Sequence, residues 1–86
     1  MIKKIVTITS PDGLHARPAG ELVRAVKSFA GTTVSLATSA KKVNAASMLS
    51  VLSLGLKAGT VVEVIADGPQ EAEAMDAVAG IIEKNS

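Results

Sequence analysis

Thr60-Val61-Val62-Glu63-Val64-Ile65-Ala66, then Asp67-Gly68-Pro69, then Ala74, Met75, Val78, Ile81 and Ile82 at helical spacing, read as a strand, a turn and a helix. Alternation puts Val62, Val64 and Ala66 on one face of the strand. Asp67-Gly68-Pro69 is turn chemistry, and the five apolar residues beyond it form the buried stripe of a last helix. Glu71 and Glu73 near its start and Lys84 near its end suit the helix dipole. The same alternation of elements appears upstream. Ile2 to Thr9 reads as a strand, with Val6 and Ile8 on one face and Thr7 and Thr9 on the other, and Pro11-Asp12-Gly13 ends it. Ala19, Leu22, Val23, Val26 and Ala30 then space a helix that tolerates Pro18 in its first turn and closes at Gly31. Gly20 inside that helix is unfavourable by about 1 kcal/mol relative to Ala, which implies either close backbone packing or simple tolerance.

Between these two strand–helix pairs, Thr33 to Ala37 alternates as a strand, and a tight connection through Ser39 and Ala40 leads to a short strand around Lys41 to Val43. A short helix follows, with Ser47 at its N-cap and Gly55 past its end. The order is therefore βαββαβα, an α+β protein. Its simplest packing is one four-stranded antiparallel sheet with all three helices on one face. No repeat, linker or low-complexity segment divides the chain, so residues 1–86 are expected to form a single unit.

Of the 86 residues 48% are apolar, yet Phe29 is the only aromatic, so the core must be aliphatic. Net charge is +1, with acids and bases mixed along the chain. Without a strong basic excess or stacking aromatics, nucleic acid is not the expected partner. Cysteine is absent, which removes disulfides, thiolate nucleophiles and cysteine metal sites, and one histidine makes no metal-ligand cluster. The apolar run from Met1 to Ile8 is too short for a signal peptide, and no stretch approaches a membrane span. A cytoplasmic protein without membrane insertion is expected.

The only histidine, His15, stands at the mouth of the first helix in Gly13-Leu14-His15-Ala16-Arg17-Pro18-Ala19. Helix N-termini present free N–H groups and positive potential, so they welcome anions. That potential and the charge of Arg17 disfavour imidazolium and leave His15 a neutral nucleophile. A phosphoryl group on His15 would find the N–H groups of Ala16 and Arg17 and the Arg17 guanidinium, and phosphoryl transfer needs mainly such positioning and charge stabilisation. On spacing alone, though, a histidine before a helix is more often a cap or a surface residue.

The whole string resembles the active-site motif of the HPr family, histidine-containing phosphocarriers of the bacterial sugar phosphotransferase system. The resemblance continues through Val43-Asn44-Ala45-Ala46-Ser47, Leu52-Ser53-Leu54-Gly55, Lys57 to Gly59, the fourth strand and the Gly68 turn. It implies an open-faced β-sandwich with sheet order 1-4-2-3. It also implies that enzyme I phosphorylates His15 at Nδ1, that Arg17 stabilises the phosphate, and that sugar-specific enzyme IIA domains receive it. Such a protein is a carrier and a substrate of enzyme I, not an enzyme, and it works as a monomer with no cofactor.

Arg17, Arg24 and Lys27 fall at helical spacing with Gly20, a basic stripe that would steer an acidic partner; the plain alternative is a solvated face. Met48, Leu49 and Leu52 outnumber what one buried stripe needs. All three, Met48 included, are candidate docking residues, Leu49 and Leu52 by resemblance lining an apolar docking surface; the plain alternative, a place in the core, holds for some of the three. Ser47 caps its helix and also matches the serine that a dedicated kinase phosphorylates in many Gram-positive relatives, which would add a serine kinase/phosphorylase and transcriptional regulators as partners. Ala46 and Ser50 depart from that pattern, standing where many regulated relatives carry lysine and glycine. Two other readings stay open: a paralogue in a nitrogen-related phosphotransfer branch, and a regulatory binding module. Relatives of the latter kind lose the histidine that this chain keeps.

Overall fold

In the computed structural model, residues 1–9, 13 and 16–84 are described. Strand β1 spans Ile2–Thr7, helix α1 Ala16–Ser28, β2 Thr33–Ala37, β3 Lys42–Asn44, α2 Met48–Ser53, β4 Val61–Asp67 and α3 Glu71–Lys84. The four strands form one sheet in the order β1-β4-β2-β3, with every neighbouring pair antiparallel. β4 therefore sits between strands from the two ends of the chain, pairing Val64 with Lys4 on one side and with Leu36 on the other.

One sheet face carries the core. Val6, Val34, Leu36, Val62, Val64 and Ala66 are buried there with Ala19, Leu22, Val23 and Val26 of α1 and Ala74, Met75, Val78 and Ile82 of α3. This is the aliphatic core that the composition requires, with Phe29 only partly buried at its margin. Truncating one of these Val or Leu side chains to Ala would cost roughly 2–4 kcal/mol. The opposite face is open, and it exposes Ile5 and Val61. Ile65 lies on that open face yet is buried, flanked in register by Lys3 on β1 and Ser35 on β2. On the core side of edge strand β1, Lys4 reaches out to Glu83 of α3 (3.3 Å). The α-ammonium of Met1 meets the Glu71 carboxylate at 2.8 Å. That hydrogen bond holds the amine above its ordinary pKa and the Glu71 carboxyl below its own.

Element boundaries differ from expectation in ways the hydrogen bonds explain. α1 stops at Ser28 rather than running to Gly31. There the Ser28 hydroxyl donates to the Ala25 carbonyl (2.6 Å) and the Phe29 N–H to Val26 (3.2 Å), tightening the last turn and leaving Ala30 exposed. β1 ends at Thr7, because beyond it the chain pairs with a loop: Ile8 N–H donates to the Thr60 carbonyl (2.9 Å), and the Ile8 carbonyl accepts from Gly59 N–H (2.6 Å). β3 begins one residue later than expected, since the Lys41 carbonyl closes the hairpin by accepting from Thr38 N–H (2.9 Å). Ile81, assigned to the buried stripe of α3, is only partly buried, and Ala79 is buried instead.

A close approach joins the turns before β2 and α3. Thr32 is buried and its Oγ1 accepts from Gln70 N–H (3.0 Å). Gly68, at φ 147°, sits so near that a Cβ would lie 2.6 Å from Thr32 Cα. Gly80 is the opposite case: it is exposed inside α3, and nothing lies within 4 Å of where its Cβ would stand. Gly80→Ala should stabilise the protein by about 1 kcal/mol through helix propensity, raising Tm by roughly 4–8 °C. Thermal unfolding followed by far-ultraviolet circular dichroism checks this, and an unchanged or lower Tm would refute it.

Candidate functional site

Two segments converge at the start of α1. Gly13 is buried and adopts φ 69°, a left-handed conformation that strains any residue with a Cβ. A Cβ there would also collide with the Leu56 carbonyl oxygen and stand 3.0 Å from Lys57 Cα. The backbone of the α2–β4 loop thus occupies the space that a side chain at position 13 would need. That loop is itself fixed: Thr60 N–H donates to the Lys57 carbonyl (3.0 Å), and Lys57 N–H to Thr60 Oγ1 (3.2 Å). Leu14 and His15, together with residues 10–12, lie outside the described residues.

α1 begins at Ala16, with Arg17 exposed and Pro18 buried. The first four N–H groups of a helix have no intrahelical acceptor, so a proline in this turn sacrifices no helical bond. Its first turn contains no acidic residue, whereas α3 carries Glu71 and Glu73 in the same place. The positive end of α3 is answered by its own side chains, and that of α1 is not.

Arg24 and Lys27 are exposed along α1. Gly20, on the same stripe, faces α2: a Cβ there would stand 3.9 Å from Met48 Cε, an ordinary contact. Packing therefore does not demand glycine at position 20, and tolerance is the explanation. The same contact places the basic stripe beside α2. Ser47 caps α2 as expected, its Oγ accepting from Ser50 N–H (3.3 Å). Leu49 is 80% and Leu52 40% exposed, while Met48 is partly buried against the core. Met48, a candidate docking residue with Leu49 and Leu52, thus sits nearer the core than the other two. The buried residue of α2 is Val51, which sequence pattern did not single out. Nor did it signal that Lys41 Nζ would reach Ser53 Oγ (3.0 Å) at the C-terminal end of α2. Among the described residues, no group of His, Cys, Asp and Glu could hold a metal ion, and no helix is long and apolar enough to cross a membrane.

The family model described as the PTS HPr component phosphorylation site matches residues 2–84. The chain belongs to the HPr family. Phosphocarrier protein HPr of Vibrio cholerae is 36% identical over 84 residues, 98% of each chain. That of Xylella fastidiosa is 37% identical over 83 residues, 96% of this chain and 92% of the other. The HPr fold is shared as well. The crystal structure of HPr-C-His from Thermoanaerobacter tengcongensis superposes with a TM-score of 0.91 at 36% identity, covering 99% of this chain and 94% of that one. Bacillus subtilis Crh, a catabolite-repression protein seen as a swapped dimer, gives 0.77 at 35% identity over 99% and 97%. As an HPr, the protein is a phosphocarrier of the phosphotransferase system: it carries a phosphoryl group rather than catalysing a reaction.

Proposed function

We propose that His15 is the phosphoryl acceptor, charged by phospho-enzyme I and discharged to sugar-specific enzyme IIA domains, by a single-domain monomer in the cytoplasm. The observation that carries this reading is the acid-free first turn of α1, which starts one residue after the only histidine and bears an exposed Arg17. In the transfer, neutral Nδ1 attacks phosphorus, a P–N bond forms, and the bond from phosphorus to the donor breaks. The N–H groups of Ala16 and Arg17 and the Arg17 guanidinium take up the phosphate charge without rearranging, which is where such sites gain their rate. Incubation with enzyme I and phosphoenolpyruvate, followed by intact mass, tests the reading. One added phosphoryl group, labile in acid and stable in alkali, is expected; no added mass would overturn it.

Arg24, Lys27, Leu49 and Leu52 form the docking surface in this reading, with cations on α1 next to exposed leucines on α2. Arg17→Ala should slow transfer at any salt concentration, because its charge acts at the phosphate. Arg24→Ala and Lys27→Ala should weaken association, and their effect should fade as salt rises, since exposed charges are the most strongly screened. Transfer rates measured against salt separate the two. Equal, salt-independent losses in all three variants would remove the steering role.

Ser47 serves as a regulatory phosphorylation site on the same surface. A phosphate there sits at the N-terminus of α2, so the fold survives. Docking suffers, because a dianion beside Leu49 must be desolvated and repels an acidic partner. Ser47→Asp should slow phosphorylation of the protein by enzyme I with little change in Tm. Ser47→Ala should lose about 1 kcal/mol of cap stability and keep transfer. Wild-type transfer by Ser47→Asp over a range of protein concentrations would leave Ser47 a cap only. The similarity to Crh supports a second reading, a regulatory binding module, against which the presence of His15 in the sequence counts.

A further inference from the structure

We propose that the open face of the sheet carries a second docking site, a depression centred on Glu63 that receives an extended segment of a partner protein with an arginine between two apolar residues. Among the described residues, the large apolar side chains left exposed are Met1, Ile5, Leu49, Leu52 and Val61. Leu49 and Leu52 lie on α2, on the helical side of the sheet. Ile5 and Val61, 67% and 55% exposed, come together on the other side. Register places Ile5 directly opposite Glu63, with Val61 two residues before Glu63 on the same face of β4. Ala37 flanks Glu63 from β2, and the turn at Thr38 and Ser39 walls one end. The depression has a volume of about 570 Å³, in the range of sites that hold a ligand.

A scattered exposed Ile or Val needs no explanation, nor does a Glu on the solvated face of an antiparallel sheet. Their arrangement departs from that plain reading. A half-buried carboxylate lies in an apolar depression and enters no ion pair among the described residues. Lys3 on β1 is its diagonal neighbour on this face, and Lys42 on β3 lies beyond Ala37. Both are exposed, and neither closes on it. Any occupant that covers Ile5 and Val61 also strips water from Glu63, and a carboxylate desolvated without a partner is costly. The chemistry that answers it is a cation with apolar neighbours, and a guanidinium matches a carboxylate through two parallel hydrogen bonds. Size decides against a second copy of this chain. The four strands are three to seven residues long, and at about 4.8 Å apart they offer roughly 300 Å² of face. Each partner in a stable complex of folded proteins buries roughly 800 Å². A short extended segment suits the smaller area, and its binding is weak and transient.

The probe is the peptide acetyl-Leu-Thr-Arg-Thr-Val-amide, whose Leu, Arg and Val share one face when extended. It is titrated into isotope-labelled protein and followed by amide chemical shifts. Saturable shifts are expected at Ile5, Ala37, Thr38, Val61 and Glu63, with a dissociation constant of about 1 mM or below, as befits a small transient contact. Glu63→Gln should weaken binding about five-fold, the loss of one partly exposed charge pair. Replacing the arginine of the peptide by glutamine should weaken binding to the wild type by the same factor. The two changes together should cost no more than either alone, because they remove one interaction. Glu63→Gln should keep the wild-type Tm and accept phosphoryl groups from enzyme I at the wild-type rate, since the depression lies on the face opposite the helices. Equal binding of the arginine and glutamine peptides would overturn the proposal, as would shifts centred on the acidic residues of α3. Shifts at Ile5, Val61 and Glu63 on concentrating the protein alone would also overturn it, making a second copy the occupant. Absence of saturation up to about 10 mM peptide would do the same.

Discussion

His15→Ala is expected to accept no phosphoryl group at all from enzyme I, while unfolding at the temperature of the wild type. The expectation follows from chemistry as much as from placement. With one histidine and no cysteine in the chain, no other side chain offers a neutral nitrogen or a thiolate at neutral pH. Lysine amines are almost fully protonated there, and hydroxyls need a base to activate them. Intact mass after prolonged incubation reads the outcome, and an unchanged circular-dichroism melt shows that the loss is chemical rather than structural. Full acceptance by the variant would sink the assignment, and acid-stable acceptance would point to a hydroxyl instead.

The second large effect is expected at Gly13. Gly13→Ala combines a left-handed backbone with a Cβ driven into the Leu56 carbonyl and against Lys57 Cα. Neither obstacle is the flexible end of a side chain, so relief requires a backbone shift in a loop tied to Thr60 and, through Gly59, to Ile8. Strain and overpacking together should cost about 2–4 kcal/mol, lowering Tm by more than roughly 10 °C in a domain of this size. Phosphoryl acceptance should fall as well, because the segment leading to His15 would leave from a displaced anchor. The comparison with Gly80→Ala, the same substitution with the opposite expected sign, controls for propensity. A Tm for Gly13→Ala within about 2 °C of wild type would mean that the loop yields easily.

Sequence pattern was a good guide where local signals agreed. β2 is found at its expected bounds because its alternation is bracketed by turn chemistry on both sides, and α2 starts where Ser47 caps it. The end of α1 differs because Ala30 continues the helical spacing and Gly31 offers a stop signal just beyond it, while the bonds that close the helix at Ser28 carry no spacing signal of their own. Val51 is buried, yet α2 is too short to show a stripe, and the buried Ala45 and Leu56 lie in the connections on either side of it, where no periodicity marks them. The order of the strands came from resemblance alone, since alternation says that strands exist and not which ones are neighbours. In the candidate site, the exposed cations of α1 were legible from helical spacing. The role of the α2–β4 loop was not, because the contact of Gly13 with Leu56 and Lys57 joins positions far apart in the chain.

The place of β4 has a consequence for how the protein is made. β1 pairs only with β4, Ile2 opposite Ala66, so the first strand to leave the ribosome has no partner until the fourth has followed it. β2 likewise gains its second neighbour only then. Until that moment the nascent chain can form α1 and the β2–β3 hairpin but cannot close the sheet over its aliphatic core. Assembly thus waits on pairings of large sequence separation, which are the slow kind. The newborn chain meanwhile carries Ile2, Val6 and Ile8 uncovered, and it is in this interval, rather than after folding, that chaperones have most to offer it.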